Sequence, residues 1–173
     1  MPLKEDTDSR PALIVLGTKS ENPEVEEQTI KRINRATELF ARTIFVCSDK
    51  TRKYAPELKG HDIRLVTNQK TEYPIISPLK DGMGGLNPGD DFFVFTFLSA
   101  PKAAARLPLI CEAVETCRRQ DKLVAMPTLN GKPTHPIALS SSLRDEIIKT
   151  RKELGIPYLI RKYADNIVYR EIN

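Results

Sequence analysis

Short, continuous apolar runs alternate with segments of helical periodicity along this chain, and that alternation constrains the fold more than any other feature. The run Ala12-Leu13-Ile14-Val15-Leu16-Gly17 is apolar at consecutive positions, as a strand buried on both faces must be. Residues 43–47, 62–67 and 123–126 repeat the pattern. Phe92-Phe93-Val94-Phe95-Thr96-Phe97-Leu98 is its strongest instance, aromatic and β-branched on both faces, and predicts a central strand. Between the runs, residues 24–41 carry Ile30, Ile33, Thr37 and Phe40 at spacings of three and four, behind an Asn22-Pro23 helix entry. Residues 108–119 place Ile110, Val114 and Cys117 on one stripe.

The remaining segments are less regular. Residues 73–86 predict a loop followed by a short, glycine-weakened helix. Residues 136–139 suit a short sixth strand. Ser142 and Asp145 have the spacing of a capping box, which predicts a helix to Leu154 with Leu143, Ile147 and Leu154 inward and Gly155 as its stop. Residues 166–172 alternate, as an edge or antiparallel strand does. The resulting order implies a three-layer α/β/α domain around a mostly parallel, doubly wound sheet. Such sheets bind ligands at the carboxyl ends of the strands, where strand order reverses. That draws attention to residues 17–23, 67–79, 98–101 and 127–135.

The chain has 173 residues, enough for one domain, expected at 11–173 behind a flexible polar tail at 1–10. The tail lacks the apolar core of a signal peptide, and no run approaches the roughly 20 apolar residues of a membrane span. A cytoplasmic location without membrane contact is the expectation. The formal net charge of +4 is scattered, with no dense basic run interleaved with aromatics, which argues against a nucleic-acid partner. Cys47, Cys111 and Cys117 form no CxxC pair and suit small buried hydrophobes. His61 and His135 are too far apart to suggest a metal site. Gly82, Gly84 and Gly85 lack the spacing of a phosphate loop and predict a flexible or tightly packed turn instead.

The most specific stretch is Met126-Pro127-Thr128-Leu129-Asn130-Gly131-Lys132-Pro133-Thr134-His135-Pro136-Ile137. It resembles the P-x-x-N-G-x-x-x-H-P-V segment of the molybdenum-cofactor guanylyl- and cytidylyltransferases and their MobA-like relatives. Ser77-Pro78-Leu79 is similar to that family's G-P-L loop, and Leu98-Ser99-Ala100-Pro101 stands where the family has D-x-P. The resemblance spans roughly residues 12–172. It implies a nucleotide-diphospho-sugar-transferase-like fold that binds a nucleotide, GTP or CTP, at Gly17, Thr18, Lys19, Ser20, Pro78 and Leu79. It also implies a pterin-type ligand at Asn130, Gly131 and His135, and Mg2+ as cofactor.

Two departures bear on activity. The family's glycine-rich signature after the first strand is replaced by Gly17-Thr18-Lys19-Ser20-Glu21-Asn22-Pro23-Glu24, in which one glycine remains and two glutamates oppose a triphosphate. Ser99 replaces the Asp that ligates Mg2+, and a neutral hydroxyl is a poor ligand for a hard cation. Each loss is expected to cost about 100-fold or more in a reaction that depends on charge stabilisation. The expectation is therefore a divergent member that keeps the fold and a ligand pocket, with no catalytic residue and no metal ligand assignable. The alternative is a non-catalytic protein-interaction or small-molecule-binding module on the same fold.

Overall fold

The computed structural model describes residues 9–18, 22–68 and 75–173. The tail expected at 1–10 therefore falls mostly outside the described residues, as do Lys19 and Ser20 and the first part of the loop predicted from residue 73. Among the described residues, eight strands form one sheet: β1 Ala12–Gly17, β2 Arg42–Cys47, β3 Ile63–Thr67, β4 Phe92–Phe97, β5 Val124–Leu129, β6 Lys132–Pro133, β7 Ile137–Ser140 and β8 Ile167–Ile172. Their order is β3-β2-β1-β4-β7-β5-β6, and β8 pairs along the other side of β5. β1 is parallel to both β2 and β4, and β8 is parallel to β5. β7 runs antiparallel between β4 and β5, with Phe95 opposite Ile137 and Ala125 opposite Ala138. The chain winds outward from β1 to β3 and then crosses to β4, so strand order reverses between β1 and β4. In a doubly wound sheet, ligands bind at the carboxyl ends of the strands at such a reversal, which here is the end of β1 and β4 at Gly17 and Leu98.

Alternate strand residues feed two apolar layers, because successive side chains of a strand point to opposite faces. Leu13, Val15, Phe45, Cys47, Val94, Ala125 and Ala138 face helices α1 (Pro23–Ala36) and α4 (Leu107–Gln120). Ile14, Leu16, Ile44, Val46, Phe93, Phe95, Met126 and Leu139 lie on the other face with α2 (Ile76–Met83), α5 (Arg144–Lys149) and α6 (Gly155–Lys162). A short α3 (Pro101–Ala104) leads into α4. The expected stripes are in place, with Ile30, Ile33, Phe40, Ile110, Val114 and Cys117 all buried. No helix among the described residues is long and apolar enough to cross a membrane.

Three expectations need correction. The first helix ends at Ala36, and a tight turn over Thr37–Leu39 swings Phe40 into the core in an extended conformation. The helix expected at 142–154 is instead a turn over Ser141–Leu143 followed by α5, which stops at Lys149. Ser140, not Ser142, caps that turn by accepting from the Ser142 amide at 3.2 Å. The break follows Thr150, whose backbone is extended and whose carbonyl accepts from Lys80 Nζ of α2 at 2.7 Å. Leu154 is consequently exposed rather than inward, and Gly155 opens α6 instead of closing a helix. The last strand lies at an edge as expected and runs parallel to its neighbour.

Candidate functional site

At the carboxyl end of β1, Gly17 is a packing glycine. A Cβ there would stand 2.5 Å from Phe45 Cε2, so only glycine lets β2 keep its buried aromatic ring. Thr18 follows, nearly buried. The β1–β4 seam extends one bond further, with the Leu98 amide donating to Leu16 O at 3.0 Å. Ser99 is exposed immediately beyond. The carboxylates of β4 lie at its opposite end. Asp90 pairs with Arg42 at 2.8 Å, and Asp91 pairs with Arg118 at 2.8 Å. Among the described residues, no three His, Cys, Asp or Glu side chains gather in a group that could hold a metal ion. Ser99, which stands where the resemblance expects a metal carboxylate, offers only a neutral hydroxyl and does not fit a hard divalent cation.

Pro78 and Leu79 sit inside α2, not in a loop. Both are buried, and the Leu79 side chain, with no exposed surface, completes the core. The glycines that follow are packed tightly. A Cβ on Gly82 would meet Ile14 Cγ2 at 2.7 Å and Val46 Cγ2 at 2.9 Å, so α2 lies directly on β1 and β2.

Asn130 and Gly131 have φ values of 51° and 73° and connect the Leu129–Lys132 pair of β5 and β6. This is the left-handed geometry of a two-residue hairpin turn, which Asn-Gly favours. Both residues are exposed. The hairpin returns the chain to His135, which is linked to Pro136 by a cis peptide bond.

His135 is held from several sides. Its ring makes edge contacts with Phe95 and Phe97, at centroid distances of 5.8 and 4.8 Å. Its carbonyl accepts from Arg106 Nη1 at 3.2 Å. Its Nδ1 is buried and has no hydrogen-bond partner. Burial pushes the imidazole pKa below its ordinary value of 6.5, so the ring is neutral at pH 7 and can offer an acceptor nitrogen.

A cavity of about 380 Å³ adjoins this ring. Phe95, Met126 and Ile137 line it from the sheet, and Ile156, Pro157 and Ile160 line it from α6. Ile75 and Arg161, both exposed, complete it with His135. Gly155 carries the signal of a helix stop, which hides the α6 contribution in the sequence. The signal was present in Ile156, Leu159, Ile160 and Tyr163, at i, i+3, i+4 and i+7. The cysteines stay outside this chemistry. Burial pushes the Cys111 and Cys117 thiols up to about 12 and about 11, and raises that of Cys47.

No protein-family model matches this chain, and no curated protein sequence is significantly similar to it. Solved structures do match. Rv0371c from Mycobacterium tuberculosis superposes with a TM-score of 0.72 at 12% identity, over 95% of this chain and 89% of that one. The same mycobacterial protein has also been solved as a complex with manganese. The 4-diphosphocytidyl-2C-methyl-D-erythritol synthase from Anaerococcus prevotii gives 0.64 at 11% identity, over 95% and 89% of the two chains. A CMP:2-keto-3-deoxy-manno-octonic acid synthetase complexed with CTP gives 0.66 at 11% identity, over 94% and 90%. At these identities the likeness is one of fold, and the fold is the three-layer nucleotide-diphospho-sugar-transferase-like architecture.

Proposed function

We propose that this chain is a nucleotidyltransferase-like protein that binds a nucleotide at the carboxyl ends of β1 and β4 and a second small molecule in the cavity beside His135. The carrying observation is the position of that cavity. It is lined from β4, β5 and β7, on one side of the strand-order reversal, and its His135 ring contacts Phe97 at the end of β4, so a nucleotide at the ends of β1 and β4 and a ligand of the cavity would be neighbours. The comparison with a synthetase complexed with CTP supports a nucleotide as the first ligand.

The first amides of α1 are already engaged, since Asn22 Oδ1 accepts from Glu24 N and Val25 N at 3.2 and 3.4 Å. Gly17, Thr18, Lys19, Ser20, Pro78 and Leu79 are the nucleotide contacts that the resemblance implies. GTP or CTP is the nucleotide, and a pterin the second ligand, that the resemblance to molybdenum-cofactor transferases implies. A second reading, binding without transfer, is favoured by Ser99 and by the commitment of Asp90 and Asp91 to arginines at the far end of β4.

Thermal unfolding with GTP, CTP, ATP and UTP, each with and without Mg2+ or Mn2+, tests the proposal. One nucleotide at 100 times its dissociation constant should stabilise the fold by about 2.7 kcal/mol. Pyrophosphate release in the presence of a second ligand would select transfer over binding. No stabilisation by any of the four would overturn the nucleotide reading.

A further inference from the structure

We infer that the ligand of the His135 cavity is a compact amphiphilic anion: a largely apolar, ring-sized body with one hydroxyl and one carboxylate or phosphate. The inference rests on the cavity being the second-ligand site proposed above, and it names the chemistry of that ligand.

The lining dictates the body. Phe95, Met126, Ile137, Ile156 and Ile160 offer no hydrogen bond to anything placed against them. A pterin carries donors and acceptors around its whole rim, and each one buried here without a partner would weaken binding by about tenfold. A fused hydrocarbon ring of the same outline loses nothing and gains the burial of its surface. The volume, about 380 Å³, is at the small end for a ligand pocket and suits a two-ring molecule.

Two polar groups dictate the rest. His135 Nδ1 is buried without a partner on a ring that lines the cavity, and since a neutral imidazole nitrogen donates or accepts according to its tautomer, a hydroxyl, which does both, is the group that answers it. Arg161 is exposed on the last turn of α6 and makes no ion pair among the described residues. A guanidinium so placed matches a carboxylate or phosphate at the end of the ligand that faces solvent.

Matched probes separate these features. Titration calorimetry would compare 6-hydroxy-2-naphthoate, 2-naphthoate, 2-naphthol and pterin-6-carboxylate on the full chain. The first should bind at least tenfold more tightly than the pterin, which has the same outline and charge but a polar body. Arg161→Ala, an exposed change, should weaken naphthoate about tenfold and leave naphthol unchanged, and Arg161→Lys should restore part of the loss. His135→Phe keeps the ring between Phe95 and Phe97 and should abolish the advantage of hydroxynaphthoate over naphthoate. Preference for the pterin, or equal binding of the two, overturns the inference whatever the nucleotides do. An anion preference untouched by Arg161→Ala overturns the assigned orientation. Tight naphthoate binding together with no response to any nucleotide would leave the ligand class standing and remove the nucleotide reading.

Discussion

His135 is fixed through its ring and its carbonyl while its Nδ1 goes unanswered, and that imbalance gives it a measurable signature. In the unfolded chain the imidazole takes up a proton near 6.5. In the folded chain burial delays protonation to lower pH. Between those two values the unfolded state binds more protons, so stability falls as pH drops through that window and levels off below it. His135→Phe removes the titrating group and keeps an aromatic ring. Urea unfolding at pH 8, 7, 6 and 5 should show the wild type losing stability relative to the variant on the acid side of 6.5. Parallel curves would mean that the ring is not buried in the neutral state. The same residue shows what its neighbourhood hides from a linear reading. His135 stood out through its flanking Asn130-Gly131 and Pro136, but a sequence does not show that a histidine lacks a hydrogen bond.

Among the elements, α2 shows how a helix with three glycines near its end can still be specific. Glycine inside a helix ordinarily costs up to about 1 kcal/mol relative to alanine, so Gly→Ala should stabilise. At Gly82 the sign should reverse, because the added Cβ would meet Ile14 and Val46 at 2.7 and 2.9 Å on the strands beneath. Overpacking of this kind costs roughly 1–3 kcal/mol, so Gly82→Ala should lower the urea midpoint, and a raised midpoint would show that α2 rides higher on the sheet. The strands were legible because burial on both faces writes itself as an unbroken apolar run, as in Ala12–Gly17 and Phe92–Phe97. The last helix was not. Gly155 does adopt a positive φ of 61°, as a helix-stop glycine would, yet here it begins α6, and one glycine cannot announce which side of it the helix occupies. Alternation in the final strand gave its edge position but not its direction, since side-chain period is the same in parallel and antiparallel pairs. The cavity was illegible for a related reason, because its wall is α6 and its floor comes from three separate strands.

Across the whole molecule, charge is distributed between the two ends of the sheet in a way that separates holding the fold from meeting a ligand. At the amino end of β4, Asp90 and Arg42 are paired with side chains only 4% and 10% exposed, and Arg42 also reaches Asp62 at 3.6 Å. These groups hold β2, β4 and the segment before β3 together. At the carboxyl ends of β1 and β4, the described side chains include the neutral Thr18 and Ser99, with His135 and the cationic Arg161 at the neighbouring cavity. Adding a carboxylate there should make binding depend on a metal. Ser99 is exposed in the turn after β4, so Ser99→Asp should leave the melting temperature of the unliganded protein unchanged. Without a divalent ion, the new carboxylate should weaken nucleotide binding by roughly 1–4 kcal/mol, the range for like charges about 4 Å apart between bulk water and a protein surface. Mn2+ or Mg2+ should recover that loss, because a cation bridging the carboxylate and the phosphates turns the repulsion into attraction. The nucleotide-induced thermal shift, read for both proteins over a metal titration, reports the difference directly. Equal shifts in wild type and variant at every metal concentration would place the phosphates away from residue 99, and the crevice between β1 and β4 would lose its claim to the nucleotide.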